Sequence, residues 1–341
     1  MTSEDKTFYL KELNVIAVIL VILYHVGYYF PVNVNTSHYI ITLSYINVGN
    51  IGFALFFMIT GALLINREYS VSYFMKKYLI TLIMPAAFWI IVSILVYLTY
   101  IPYSEYFFTN WILNNRYIWF PLALIGVYLI MPVFNSFVKE YGIRSCEYFL
   151  AFWILLLIMI HTGMMSNANV SYILDSIGIY IGFSVLGYYL ANKDFNILSG
   201  PMIIIAGIIF IVSFALTMHL TNAYAVPMDY MSFVIIADSA ALFLIFRYVD
   251  RFSHFKASRT ISKIHNYAKT SWISNIVNII SICSFGMYFI TGILSTYISK
   301  HMHITSFNAL PTVFIAVFII SLILMIVLSL IPVLNRIVGT N

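Results

Sequence analysis

Two ionisable side chains lie deep inside long apolar runs: His25 in Leu23-Tyr24-His25-Val26 and Asp238 in Ile236-Ala237-Asp238-Ser239. Ionisable groups in such settings are costly to keep and point to function by default. An imidazole titrates at about 6.5 in water, so at neutral pH it can take a proton from a hydroxyl and return it, which is the work of a general base. The competing reading of His25 is a histidine hydrogen-bonded to a neighbouring helix or reaching toward the outer interface. Asn14 precedes His25 by eleven residues, about three helical turns, which puts both on one face about 16 Å apart and draws a polar stripe down the helix. Asp238 has no basic residue within one turn of its own helix, leaving protonation, pairing across helices or contact with water.

Other chemistries lack their residues. His161, His219, His301 and His303 fall at or beyond outer helix ends, and His301-Met302-His303 is too little for a metal site, so none is expected. Cys146 and Cys283 have neither CxxC nor metal-type spacing. GxSxG, HExxH, P-loop and Rossmann patterns are absent, which removes the usual support for a hydrolase, a zinc protease or a nucleotide-driven pump.

The elements that must position these residues follow from composition. Of 341 residues 62% are hydrophobic and 9% charged, against roughly 25% charged in a soluble domain. A soluble enzyme is excluded. A bilayer core needs about 20 apolar residues per helix, and runs of that kind fall near 13–31, 44–65, 79–100, 117–137, 147–163, 172–190, 201–220, 230–248, 279–299 and 311–334. The expected fold is all-α: a polytopic membrane bundle of ten transmembrane helices, one domain over 1–341. The first run is too long for a signal-peptide core and lacks a cleavage site, so it stays as a helix. With both termini cytoplasmic, every Lys and Arg of the 17 except Arg116 and Lys300 falls on the cytoplasmic side, as the positive-inside rule requires. That segregation accounts for the net charge of +5, and no nucleic-acid partner is needed. The long connection 249–271 interleaves Arg251, Lys256, Arg259, Lys263 and Lys269 with aromatic and aliphatic residues; it reads as an interfacial amphipathic helix or as a solvated basic loop.

Helix 1 with His25, the segment Gly52-Phe53-Ala54-Leu55-Phe56-Phe57-Met58-Ile59-Thr60-Gly61, and Lys76-Lys77 leading to Pro85 and Trp89 together resemble the bacterial acyltransferase-3 family of integral-membrane acyltransferases. Further segments agree in order. Tyr117-Ile118-Trp119-Phe120 with Leu124 to Pro132 is similar to the family's WF...LIGLYL.P segment, Gly182 to Leu190 to FLLGYYL, and Ser284-Phe285-Gly286-Met287-Tyr288 to SFGIY. The likeness runs from about 10 to 300.

The resemblance implies an enzyme of the bacterial cell membrane. It would transfer an acyl group, acetyl or succinyl, from cytoplasmic acyl-CoA to a hydroxyl of an extracytoplasmic glycan or glycolipid, as in O-acetylation of cell-envelope polysaccharide. His25 matches the family's functional helix-1 histidine and is the expected catalytic base. Lys76 and Lys77 match its basic cluster and would meet CoA phosphates, unless they only set topology, and the pantetheine arm would run along the face shared by Asn14 and His25. Arg116, Trp119 and Tyr288 are the expected substrate contacts, and acyl-CoA, the acceptor and membrane lipid the expected partners. The chain departs from the pattern where Asn14 replaces a basic residue, Thr81 an arginine, Thr291 a histidine, and Tyr117 the histidine common ahead of Trp119-Phe120. Asn or Thr cannot supply the fork of donors that arginine does. With only Arg336 to Asn341 after the tenth run, the hydrolase-like domain appended in some members is expected to be absent. The alternatives are a glycan or lipid-linked sugar transporter or flippase, or a catalytically inactive accessory membrane protein.

Overall fold

The computed structural model describes residues 8–29, 36–99, 106–162, 179–225, 232–253, 272–301 and 309–340. The described residues form helices with no strand: α1 (Phe8–Tyr29), α2 (Thr36–Leu64), α3 (Val71–Leu98, with a π turn over Met75–Leu79), α4 (Phe107–Asn114), α5 (Trp119–Tyr141), α6 (Ile143–His161), α7 (Ile179–Asn192), α8 (Ser199–Tyr224), α9 (Phe233–Ser253), α10 (Trp272–His301), α11 (Leu310–Ser329) and α12 (Pro332–Val338). A closed backbone hydrogen-bond ladder is what allows a chain to cross hydrocarbon, so the chain is a polytopic bundle.

Eight helices, α1, α2, α3, α5, α6, α8, α10 and α11, are long and apolar enough to span a membrane. The two remaining runs expected to cross are helical but differ from those eight. α7 has 14 described residues, the start of its run lying outside the described residues, and α9 carries Asp238, Arg247, Asp250 and Arg251 over its 21. Helix ends also shift from the apolar runs. α2 and α3 begin about eight residues early, which places Lys76 and Lys77 inside the π turn of a helix, and the last run breaks at Ser329 so that α12 turns off separately. Most of the basic stretch 249–271, including Lys256, Arg259, Lys263 and Lys269, lies outside the described residues.

The centre of the bundle is α2, the most buried of the eight spans, packed against α1 and α7. Lipid tails are as apolar as leucine side chains, so helices associate in a membrane by close packing through small residues. A Cβ on Gly61 would lie 1.7 Å from the Ser184 carbonyl oxygen, and one on Gly187 2.0 Å from that of Met58, so the α2 and α7 backbones touch. On the other face of α2, a Cβ on Gly49 would fall 2.4 Å from Tyr24 Cβ on α1.

Cross-helix contacts gather the basic residues at one end. Lys11 donates to Asn278 at 2.9 Å, Lys193 meets Glu147 at 2.5 Å, and Arg251 lies 3.5 Å from Asp194. Arg247 donates to the Leu190 and Lys193 carbonyls. The Arg67 backbone pairs both ways with the Asn135 side chain, at 3.0 and 2.9 Å. The hydrogen bond to Glu147 holds the Lys193 ammonium above its usual value. α12 tucks under α3 at this end, where Trp89 Nε1 donates to the Val338 carbonyl at 3.0 Å.

Contact between the α2 and α7 backbones leaves no room for a methyl group. Gly187→Ala should lower thermal stability in detergent by at least the ~1–3 kcal/mol typical of overpacking. Gly207→Ala on α8, where a Cβ would have no neighbour within 4 Å, should be neutral or stabilising by up to ~1 kcal/mol.

Candidate active site

His25 is completely buried, three turns along α1 from Asn14. Its Nδ1 lies 2.9 Å from Thr291 Oγ1 on α10, and the Thr291 hydroxyl donates to the Tyr288 carbonyl at 2.9 Å. A hydroxyl has one proton. With that proton on the Tyr288 carbonyl, Thr291 accepts from Nδ1–H, and the free lone pair of the ring falls on Nε2. Nε2 is buried and has no hydrogen-bond partner among the described residues. The imidazole is thus held in the tautomer of a base with its acceptor atom open.

Aromatic rings enclose it. Ring centroids of Tyr288, Tyr24, Tyr117, Tyr29 and Phe53 lie 5.3, 5.9, 6.1, 6.4 and 6.5 Å from that of His25. The Tyr288 hydroxyl donates to the Tyr117 carbonyl. The Tyr117 hydroxyl donates to Asn115 Oδ1 at 3.0 Å and lies 2.6 Å from Ser93 Oγ, which also accepts Trp111 Nε1–H at 3.1 Å. These bonds join α3, α4, the turn that leads into α5, and α10 into a polar network beside the histidine, away from the basic end.

Toward the basic end a cavity of about 580 Å³ opens, lined among others by Asn14, Phe56, Thr60, Lys77, Thr81, Tyr128, Ser281, Ser284 and Gly339. Asn14 Nδ2 lies 3.0 Å from the Ser281 carbonyl, Ser281 Oγ and Ser284 Oγ. Lys77 Nζ donates to the Tyr73 hydroxyl at 2.7 Å and sits 5.2 and 5.6 Å over the Tyr73 and Tyr78 rings.

Two groups of the expected residues therefore come together in two places. His25 meets Tyr288, with Trp119 packed 5.0 Å from Phe53 in the next layer, while Asn14 and Lys77 share the cavity. Lys76 is exposed and is not part of the cavity wall, and the side chain of Arg116 lies outside the described residues. Thr291, singled out as a departure, is the direct partner of His25, and Thr81, another, lines the cavity. Sequence reasoning passed over Ser93, Trp111 and Asn115. The hydroxyl of Ser93 in an apolar run was the one signal for them. Asp238, also fully buried, accepts the Ser213 hydroxyl and, at 3.3 Å, the Thr217 hydroxyl, both from α8; it neither faces water nor meets a basic side chain among the described residues. No group of three potential metal ligands occurs among the described residues.

A buried histidine beside a polar network, with a partly polar cavity on the opposite, cation-bearing side, lies inside a multi-pass membrane bundle. The chain belongs to the acyltransferase-3 family, whose model, described as an acyltransferase domain, matches residues 10–331. No curated protein and no solved structure matches it. The protein is a membrane-embedded acyltransferase.

If Thr291 fixes the ring, losing its oxygen leaves Nδ1–H buried and unpaired. Thr291→Val should cost about 1–3 kcal/mol of stability, read by thermal unfolding in detergent, while Thr291→Ser should retain most of it.

Proposed function

We propose that this acyltransferase moves an acyl group, acetyl or succinyl, from cytoplasmic acyl-CoA to a hydroxyl of a glycan or glycolipid outside a bacterial cell membrane, with His25 as general base. The observation that carries the reading is the His25 imidazole, anchored at Nδ1 by Thr291 with Nε2 unpartnered among the described residues. In the reaction Nε2 takes the proton of the acceptor hydroxyl as its oxygen bonds to the thioester carbonyl carbon. The tetrahedral intermediate collapses, the C–S bond breaks, and the departing CoA sulfur takes the proton back from the imidazolium. The products are the ester and free CoA.

The orientation follows from charge. Lys11, Arg67, Lys77, Lys193, Arg247 and Arg251 gather at the end that holds the cavity, and positive residues concentrate on the cytoplasmic side, so the cavity faces the donor's compartment. In this reading both termini are cytoplasmic and α7 and α9 complete ten crossings. CoA phosphates cannot enter hydrocarbon; they stay at the interface near Lys77 and Lys76, and the uncharged pantetheine arm enters beside Asn14. Arg116, Trp119 and Tyr288 serve the acceptor.

Purified protein in vesicles, given labelled acetyl-CoA and a membrane glycan fraction, should transfer label, and His25→Gln should reduce the rate about 100-fold or more, the lower end of what a general base contributes. Unchanged transfer in the folded variant removes the base assignment, and gradient-driven glycan movement without transfer would make the chain a transporter. Replacing Lys76 and Lys77 together by Gln should weaken acyl-CoA binding at low salt, with the difference shrinking as salt screens the exposed charges. Unchanged binding at low salt would mean that the two lysines act in topology alone.

A further inference from the structure

The donor cavity and His25 lie along the same helices but are separated by one layer of side chains. The cavity wall includes Phe56 of α2, Leu124 of α5 and Ser284 of α10. One turn further along these helices stand Phe53, Phe120 and Tyr288, on the same faces because residues three or four apart are neighbours on a helix surface. Their rings pack on one another: centroids are 5.4 Å apart for Phe53 and Phe120, 4.9 Å for Phe120 and Tyr288, and 6.2 Å for Phe53 and Tyr288. All three are buried.

The layer spans the whole interval. Phe56, at the cavity, lies 5.7 Å from Phe120; Tyr288 lies 5.3 Å from the imidazole. On α1 the stretch between Asn14 and His25 is filled by buried Ala17, Val18, Val21 and Ile22, which leave no polar opening on that side. Tyr288 is also tied in place, because its hydroxyl donates to the Tyr117 carbonyl in the turn just before α5. A thioester entering from the cavity meets these rings before it meets Nε2. Aromatic contacts are individually modest and rings turn about two bonds, so such a layer can open without moving a helix.

We propose that Phe53, Phe120 and Tyr288 form a gate between the donor cavity and His25, latched by the Tyr288 hydroxyl, that selects donors with short acyl groups. This rests on the reading that the donor occupies the cavity and that His25 is the base. A short acyl group passes when the rings turn aside; a long chain needs the space they occupy even when turned. The closed layer also keeps cavity water from the imidazole, which limits thioester hydrolysis in the absence of acceptor.

The test uses the full chain in vesicles and two variants: Phe120→Ala, which removes the middle ring, and Tyr288→Phe, which keeps the ring and removes the latch. Modification of His25 by diethyl pyrocarbonate, located by mass spectrometry, reads the barrier without reference to activity, with His161 as internal standard. It should be about tenfold faster in Phe120→Ala, as expected from loss of one ring's packing, and measurably faster in Tyr288→Phe, at an unchanged His161 rate. The transfer ratio of octanoyl-CoA to acetyl-CoA should rise by a similar factor in Phe120→Ala, together with hydrolysis of the donor without acceptor. If Phe120→Ala does not fold, the isosteric Tyr288→Phe carries the labelling test. Labelling of His25 no faster in any folded variant overturns the gate, whatever the transfer activity. Faster labelling with an unchanged chain-length ratio overturns the selection of short donors. Faster labelling in a protein that transfers no acyl group supports the barrier and overturns the acyl-transfer reading instead.

Discussion

A bilayer interior offers no water to a polar group, so the inside of this bundle is organised by where each buried donor and acceptor finds a partner. The hydrogen bond between His25 and Thr291 is the clearest case. It joins residues 266 positions apart in the chain, pins α1 to α10, and decides which ring nitrogen is free. The same constraint sets Asp238 against two hydroxyls of α8, and Asn135 against both backbone groups of Arg67. Each of these pairs ties together helices that would otherwise be free to rotate about their axes in a uniformly apolar surrounding.

Hydrogen bonds of this kind demand short distances, and glycine supplies them. Because the α2 backbone reaches that of α7 at Gly61 and Gly187, and touches Tyr24 of α1 at Gly49, α2 can lie between its neighbours with its aromatic side chains turned toward α1 and α5. Phe53 therefore meets both Tyr24 and Phe120, and the environment of the imidazole follows from backbone spacing as much as from the residues that touch it.

What the sequence made legible was whatever is written within one helix. Apolar runs of membrane length located the elements, and the eleven-residue interval placed Asn14 and His25 on one face, as the structure has them, Asn14 at the cavity and His25 in the aromatic layer. Helix ends were less legible, since the runs that carry α2 and α3 shade into half-polar turns that stay helical; Lys77 meets the cavity from inside the π turn rather than from a loop. Contacts between helices were not legible at all. Phe53 and Phe120 look in sequence like any other core aromatic among 28 phenylalanines, and nothing local marks Thr291 as the partner of His25. The resemblance drew attention to Thr291 and Thr81 because they differ from what is usual at their positions, and in space Thr291 meets His25 while Thr81 lines the cavity.

Gly339, in a left-handed conformation with φ of 88°, sits on the same cavity as Asn14, and α12 just before it is held by the bond from Trp89 to Val338. The cavity wall therefore draws on residues more than 300 positions apart, and the order of events during synthesis is fixed by that fact. Helices enter the membrane in chain order, so α1, α2 and α3 are in place long before the segment that completes the wall has left the ribosome. Until α10 arrives the Asn14 amide, and until α12 arrives the Trp89 indole N–H, must be satisfied by water, lipid headgroups or an insertion factor. A protein caught at that stage would have its imidazole helix inserted and this cavity still open on one side, so the cavity takes shape only after the helix that carries His25 is in place.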